Sequence, residues 1–232
     1  MVIIFQDRRQ AGRALGQVVR DEIDEDPGAD DAIVLGLPRG GGPVAFEVAR
    51  ELGRPLDVCG VRKLGVPGQE ELAMGAVASG GIVVIQADVV HAYRIPQEII
   101  DAVVARERIE IERREAAYRD GRPAARIEGR TVILVDDGLA TGATMKAAAR
   151  ALRPVARRVV VSVPVAARTT CDELQLEVDQ VVCLENPEPF HAVGEFYRNF
   201  DQTTDAEVRA LLAQARLAQA RLDGCEDGPG GA

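Results

Sequence analysis

The sequence predicts an α/β fold: a Rossmann-like parallel sheet of about five strands flanked by helices, with a small C-terminal hood. Three observations carry that expectation. Short, β-branched, apolar runs recur at residues 32–37, 56–61, 131–135, 159–165 and 178–184, each the length of a strand buried on both faces. Segments of helical period lie between them, the order of a parallel sheet built with right-handed crossovers. Two of the runs end in loops of small residues that open directly into helices, at 38–42 and 138–144.

Taken in order, residues 6–23 read as a helix with Ala11, Leu15, Val18 and Val19 on one side, and 24–31 as an acidic, Gly-containing loop. The strand at 32–37 runs into Pro38-Arg39-Gly40-Gly41-Gly42. A helix follows, with Val44, Ala45, Val48, Ala49 and Leu52 inward, stopped by Gly53-Arg54-Pro55 before the strand at 56–61. Residues 62–75, RKLGVPGQEELAMG, are polar and broken by Gly65, Pro67 and Gly68, so they are expected to be a mobile connection. A strand at 82–85 precedes a long helix at 97–119, whose buried side is marked by Ile100, Val103, Val104, Ile111 and Tyr118. Its segment RERIEIERRE alternates in charge sign and reads as a solvated face, and His91 as a surface or turn residue. A short helix is expected around 169–174. The domain reading is an α/β core over 1–184 with a mobile arm at 62–75, a hood and C-terminal helix over 185–222, and a disordered tail over 223–232. Thr204 and Glu207 form a capping box for that last helix, whose stripe is Val208, Leu211, Leu212 and Ala215.

The composition narrows the function classes. A hydrophobic share of 47% over 232 residues supports a real core, and with 3% aromatics and no Trp that core must be aliphatic. A net charge of −9 argues against broad binding to nucleic acid or to anionic membrane. Cys59, Cys171, Cys183 and Cys225 show no metal-type spacing, and Cys59 and Cys183 read as reduced core thiols. No apolar run approaches a membrane span and the N-terminus lacks a signal-peptide pattern, so a cytoplasmic protein is expected.

The chemistry concentrates at Thr131 to Thr144, TVILVDDGLATGAT. Asp136 and Asp137 stand where the strand ends. The N–H groups of Ala140, Thr141, Gly142, Ala143 and Thr144 can point at a phosphate, assisted by the positive end of the following helix. Gly138 and Gly142 allow close approach, and the hydroxyls of Thr141 and Thr144 add donors. The carboxylates suit vicinal hydroxyls or a hard cation such as Mg²⁺. Together these features make a phosphosugar site. The earlier loop has two readings. Gly40-Gly41-Gly42-Pro43-Val44-Ala45 formally satisfies the dinucleotide pattern G-x-G-x-x-A, but the next strand ends at Val61 with Arg62 and Lys63, not with an acid for an adenine ribose. A basic pair there suits pyrophosphate.

The stretch Asp136-Asp137-Gly138-Leu139-Ala140-Thr141-Gly142-Ala143-Thr144 resembles the phosphoribosyl-diphosphate (PRPP) signature of the type I phosphoribosyltransferases. The likeness extends from Phe5, Asp7 and Arg8 (F-x-D-R), through PRGG and RKLGVPG-x-E-x-A-x-G, to NPEPFxAVGxFY, and so covers most of residues 5–207, as in bacterial predicted phosphoribosyltransferase-domain proteins. It implies Mg²⁺-dependent transfer of phosphoribosyl from PRPP to a nucleobase or other small nitrogenous acceptor, with pyrophosphate released. In that reading Asp136, Asp137, Arg62 and Lys63 are catalytic, the two carboxylates also holding metal through ribose or water. Residues 140–144 take the 5′-phosphate. Arg39, Gly40 and Gly41 take the pyrophosphate, in a loop that often carries a non-proline cis peptide. The arm closes over the substrates, and the hood selects the acceptor through Phe190 and Tyr197, with His191 nearby; a small hydrophobic core holding the hood down is the competing account of those rings. Ala140 stands where the 6-oxopurine enzymes carry an acid, which implies that hypoxanthine and guanine are poor substrates. The family also includes RNA-binding regulators, so the alternative is a non-catalytic sensor of PRPP or a nucleotide. Expected partners are PRPP and a small acceptor, without nucleic acid or membrane, and a homodimer is allowed.

Overall fold

The structure, a computed structural model, describes residues 3–23 and 29–223. The chain opens with α1 (Arg8–Ile23), then β1 (Ala32–Gly36), α2 (Gly41–Leu52) and β2 (Leu56–Val58). An antiparallel excursion follows: β3 (Val61–Val66), β4 (Gln69–Ala78) and β5 (Ile82–Ile85), then α3 (Ala87–Ala92) and the long α4 (Gln97–Arg119). The core resumes with β6 (Thr131–Val135), α5 (Ala143–Leu152), β7 (Arg158–Val165), α6 (Arg168–Gln175) and β8 (Gln180–Glu185), and α7 (Asp205–Asp223) closes the described chain. The central sheet is parallel, five strands in the order β2-β1-β6-β7-β8.

The all-apolar runs form central strands because both faces of the sheet are covered. One face packs on α1 and α2 through Leu15, Val19, Val44, Val48 and Ala49 against Val34, Ile133 and Val160. The other packs on α5 and α6 through Met145, Leu152 and Leu174 against Leu35, Leu134 and Val161. Among the inward positions expected of α1, Val18 is the exception, 38% exposed. Of the expected capping box, the structure shows the half in which the Glu207 N–H donates to the Thr204 hydroxyl at 3.1 Å. Cys59, Cys171 and Cys183 are free thiols. The disordered tail expected over 223–232 lies outside the described residues except for Asp223, the last residue of α7, and so does most of the loop expected at 24–31.

Two expectations are corrected. The run 56–61 is split: Val58 ends β2 in the central sheet, and Val61 begins β3 in a separate three-stranded sheet of order β3-β4-β5. Residues 62–75 are strands, not an irregular connection. Leu64, Val66, Met74 and Val77 are buried against Ile100 and Ile111 of α4, with burial alternating along β3 at Leu64 and Val66 and continuous in β4 from Met74 to Ala78. The breakers sit where a hairpin tolerates them, Pro67-Gly68 at the turn (Gly68 φ 79°) and Gly65 at a register shift.

Candidate active site

In an open parallel sheet the crevice lies where consecutive connections leave to opposite faces, beyond the carboxyl ends of the strands. Here that point lies between β1 and β6, which are paired from Ala32↔Thr131 to Gly36↔Val135. The loop after β1 leads to α2 on one face, and the loop after β6 leads to α5 on the other.

The first loop is drawn onto the end of β6. Leu37 N–H donates to the Val135 carbonyl at 2.9 Å, Gly41 N–H returns to the Leu37 carbonyl at 3.0 Å, and the Pro38–Arg39 peptide is cis. Gly40 and Gly41 are required by proximity. A Cβ on Gly40 would overlap Asp137 Oδ2, and one on Gly41 would lie 2.6 Å from the Val135 carbonyl oxygen.

The second loop is held from behind. Leu139 N–H donates to the Val165 carbonyl at 2.9 Å, Ala167 N–H to the Leu139 carbonyl at 3.0 Å, and the Thr170 hydroxyl to the Ala140 carbonyl at 2.5 Å. The carbonyls of this loop are thereby engaged with β7 and α6. The N–H groups of Ala140 through Thr144 donate to no partner among the described residues. Gly142, at φ 62°, caps α5 and turns the loop into its first turn, and Thr141 and Thr144 are exposed. This arrangement can receive an anion.

Between the loops stand the two carboxylates. Asp136 Oδ1 accepts the N–H of Asp137 at 2.9 Å. Burial pushes its carboxyl well above the ordinary range, and the neighbouring Asp137 charge adds to the rise. Burial also raises Asp137, against the pull of Arg8, whose Nε donates to Asp137 Oδ2 at 2.8 Å. Arg8 is fixed in turn by a 2.7 Å hydrogen bond to the Asp201 carbonyl, and its guanidinium lies 3.9 Å from the Phe200 ring centroid. The F-x-D-R opening therefore has a structural account. Phe5 bridges to the hood (Phe5 N–H to the Phe196 carbonyl, 2.8 Å), Asp7 accepts the Gln10 N–H at 2.8 Å in the first turn of α1, and Arg8 reaches the acidic pair.

The hood is a small core. Phe5, Phe196 and Tyr197 are buried together, with ring centroids 5.8 Å apart for Phe5–Tyr197 and 5.3 Å for Phe190–Phe196. The assignment of Tyr197 to the acceptor is corrected. The residue is 6% exposed, and its hydroxyl donates to the Asp137 carbonyl at 2.5 Å, so it positions the acidic pair. Phe190 is half-buried and stacked on Phe196, and His191 is exposed.

Arg62 and Lys63 stand side by side on β3. Successive residues of a strand lean to opposite faces, yet both side chains line one hollow of about 630 Å³ beside Arg106 and Glu107. Arg62 lines a cavity of about 410 Å³ with Pro38, Arg39, Tyr118 and Thr144, and its Nε donates to Glu107 at 2.8 Å. Lys63 also lines a second hollow beside Ala143 and Lys146 of α5. Sequence reasoning missed the third wall of the Arg62 cavity, which is α4 with Arg113, Arg114 and Tyr118. Its signal was available: Ile111, Arg114, Glu115 and Tyr118 share one stripe at i, i+3, i+4 and i+7.

A family profile described as the phosphoribosyl transferase domain matches residues 5–200. The chain belongs to this family. The crystal structure of TT1426 from Thermus thermophilus is of a protein 43% identical to this one, and it superposes with a TM-score of 0.81 over 91% of this chain and 99% of that one. A Mycobacterium tuberculosis H37Rv protein named "Putative phosphoribosyl transferase Rv0571c" is 45% identical over 230 residues, 97% of this chain and 51% of its own. The corresponding MT0597 protein of strain CDC 1551 matches to the same extent. The chain thus spans about half the length of the curated relatives it matches. No helix among the described residues is long and apolar enough to cross a membrane.

Proposed function

We propose that the chain transfers a phosphoribosyl group from PRPP to a nucleobase or other small nitrogenous acceptor, releasing pyrophosphate. The observation that carries this reading is the half-buried pair Asp136–Asp137 set between two small-residue loops at the point where the sheet connections diverge. The N–H groups of Ala140 to Thr144, with the Thr141 and Thr144 hydroxyls, hold the 5′-phosphate. Asp136 and Asp137 accept the ribose hydroxyls, and their charge favours positive character at the anomeric carbon as the bond to pyrophosphate breaks. Arg39, Arg62 and the backbone at Gly40 and Gly41 orient the leaving pyrophosphate. The half-buried Phe190 contacts the acceptor.

The donor set fits Mg²⁺ carried by the substrate. No group of three metal-type side chains occurs among the described residues, so two aspartates leave most coordination positions to phosphate oxygens, ribose hydroxyls and water. Bound there, Mg²⁺ would neutralise charge on the departing pyrophosphate. Arg8 keeps Asp137 oriented meanwhile, and Tyr197 anchors the backbone of the same residue.

Ala140 offers only a methyl group where a 6-oxopurine acceptor would need a proton acceptor, so hypoxanthine and guanine are expected to turn over poorly. The test is a pyrophosphate-release screen over nucleobases and small amines with PRPP and Mg²⁺. Turnover of one acceptor class supports the reading. PRPP binding without turnover on any acceptor would favour the non-catalytic sensor, and efficient turnover of hypoxanthine would refute the role given to Ala140.

A further inference from the structure

We propose that α4 supplies a second basic wall to the crevice, Arg113 and Arg114 binding the diphosphate half of a phosphoribosyl donor. The inference rests on the proposed function and deepens it. The segment that carries these residues reads in sequence as a solvated, charge-alternating face. In the fold, one flank of it closes the 410 Å³ cavity whose other walls are the Pro38-Arg39 loop and the root of the arm at Gly60 to Arg62, with Thr144 of the phosphate loop at its edge.

The local charge is opposite to that of the chain. Arg39, Arg62, Arg113 and Arg114 line the cavity with Glu115 and Asp205, in a protein of net charge −9. Glu115 is committed elsewhere. It accepts from Arg119 Nη1 at 2.6 Å and from the Gly60 N–H at 2.9 Å, and it takes the Ser79 hydroxyl. Arg113 and Arg114 share the single carboxylate Glu110, at 2.9 Å and 2.5 Å, through three hydrogen bonds in all. A guanidinium group carries about five N–H donors, so most remain for a ligand. Both side chains are more than half exposed, at 67% and 51%, hence open to an incoming anion.

Their position is not left to a free helix. Arg119, further along α4, is buried and donates to Asp57 at 2.8 Å and to the Val58 carbonyl at 3.0 Å, both at the end of β2. With Glu115 on Gly60, this clamps α4 to the strand end beside the cavity. A planar guanidinium fork matches phosphate oxygens in a way that an ammonium group does not. Two adjacent forks lining one cavity with Arg39 and Arg62 suit a diphosphate, while the loop at 140–144 suits the single phosphate at the other end of the donor.

The test is titration calorimetry of the full chain with two separate probes, inorganic pyrophosphate with Mg²⁺ and ribose 5-phosphate. In the Arg113→Gln/Arg114→Gln variant, pyrophosphate affinity is expected to fall by about tenfold or more, with the ribose 5-phosphate affinity within about twofold of wild type. Arg113→Lys/Arg114→Lys should recover part of the loss, because charge is restored without the fork. The melting temperature should hold, since exposed pairs within one helix contribute little to stability. Unchanged pyrophosphate binding, or equal loss for both probes, would overturn the assignment. If wild type binds pyrophosphate and the variant does not, but ribose 5-phosphate binds neither, the donor reading fails while the anion wall stands. Failure of wild type to bind either probe refutes both.

Discussion

Replacing Asp136 with Asn should make the unliganded protein more stable, and increasingly so as the pH rises. The carboxyl of Asp136 is desolvated, and Asp137 stands beside it, so its ionised form is disfavoured in the fold. Its pKa is therefore higher folded than unfolded, where the ordinary value is 3.8. A group of that kind contributes stability fully below the unfolded value and loses it as pH rises through the raised folded value. Asparagine does not titrate, and its Oδ1 can keep the 2.9 Å hydrogen bond that Asp136 accepts from the Asp137 N–H. The variant thus removes the ionisation penalty without creating a cavity. Relief of one destabilised site residue is worth about 0.5–2 kcal/mol, or about 1–8 °C in Tm for a chain of this size. The assay is a series of thermal melts of both proteins from about pH 4 to about pH 8 without ligand, a span that starts near the unfolded value. The difference should be small at the acid end and grow through the window above it, while any Tm rise given by PRPP with Mg²⁺ should shrink in the variant. A variant that melts below wild type at the alkaline end, or a difference independent of pH, would refute the reasoning.

Arg8→Met should do the reverse, lowering stability by about 1–3 kcal/mol because a half-buried carboxylate loses its charged partner, with PRPP affinity falling as Asp137 is released; an unchanged melt would show that the bridge at 2.8 Å is dispensable. Gly40→Ala should weaken PRPP binding by about tenfold or more with the fold retained, because a methyl group that overlaps Asp137 Oδ2 must displace the acidic pair or the loop; circular dichroism with calorimetry separates that outcome from unfolding. Tyr197→Phe keeps the ring in the hood core and removes only the hydroxyl bonded to the Asp137 carbonyl, so a loss of about 0.5–1.5 kcal/mol is expected, read by denaturant unfolding.

Several features of the site are legible from the chain because their causes are local. The β-branched run at 131–135 fits a strand buried on both faces, and Gly138, Gly142 and the following helical period place a turn and a helix N-terminus directly after Asp137. The loop at Pro38 to Gly42 is found in the same way, from glycines between an apolar run and a helical stripe. Other features depend on partners far away in sequence. Arg119 meets Asp57 across 62 positions, and Ser79 meets Glu115 across 36, so Glu115, which lies in the segment that reads as a solvated face, is buried with Arg119 where each completes another. The arm reads as a broken, polar connection until α4 supplies the apolar surface that Leu64, Met74 and Val77 cover. Tyr197 likewise resembles an open ring beside polar residues, and only the closing of the hood over Phe5 buries it and brings its hydroxyl to Asp137, 60 positions earlier. Local spacing determines which loops can approach a phosphate. Packing across the sheet decides which side chains stand around it, because burial and ion pairing are properties of neighbours that the chain brings together only when folded.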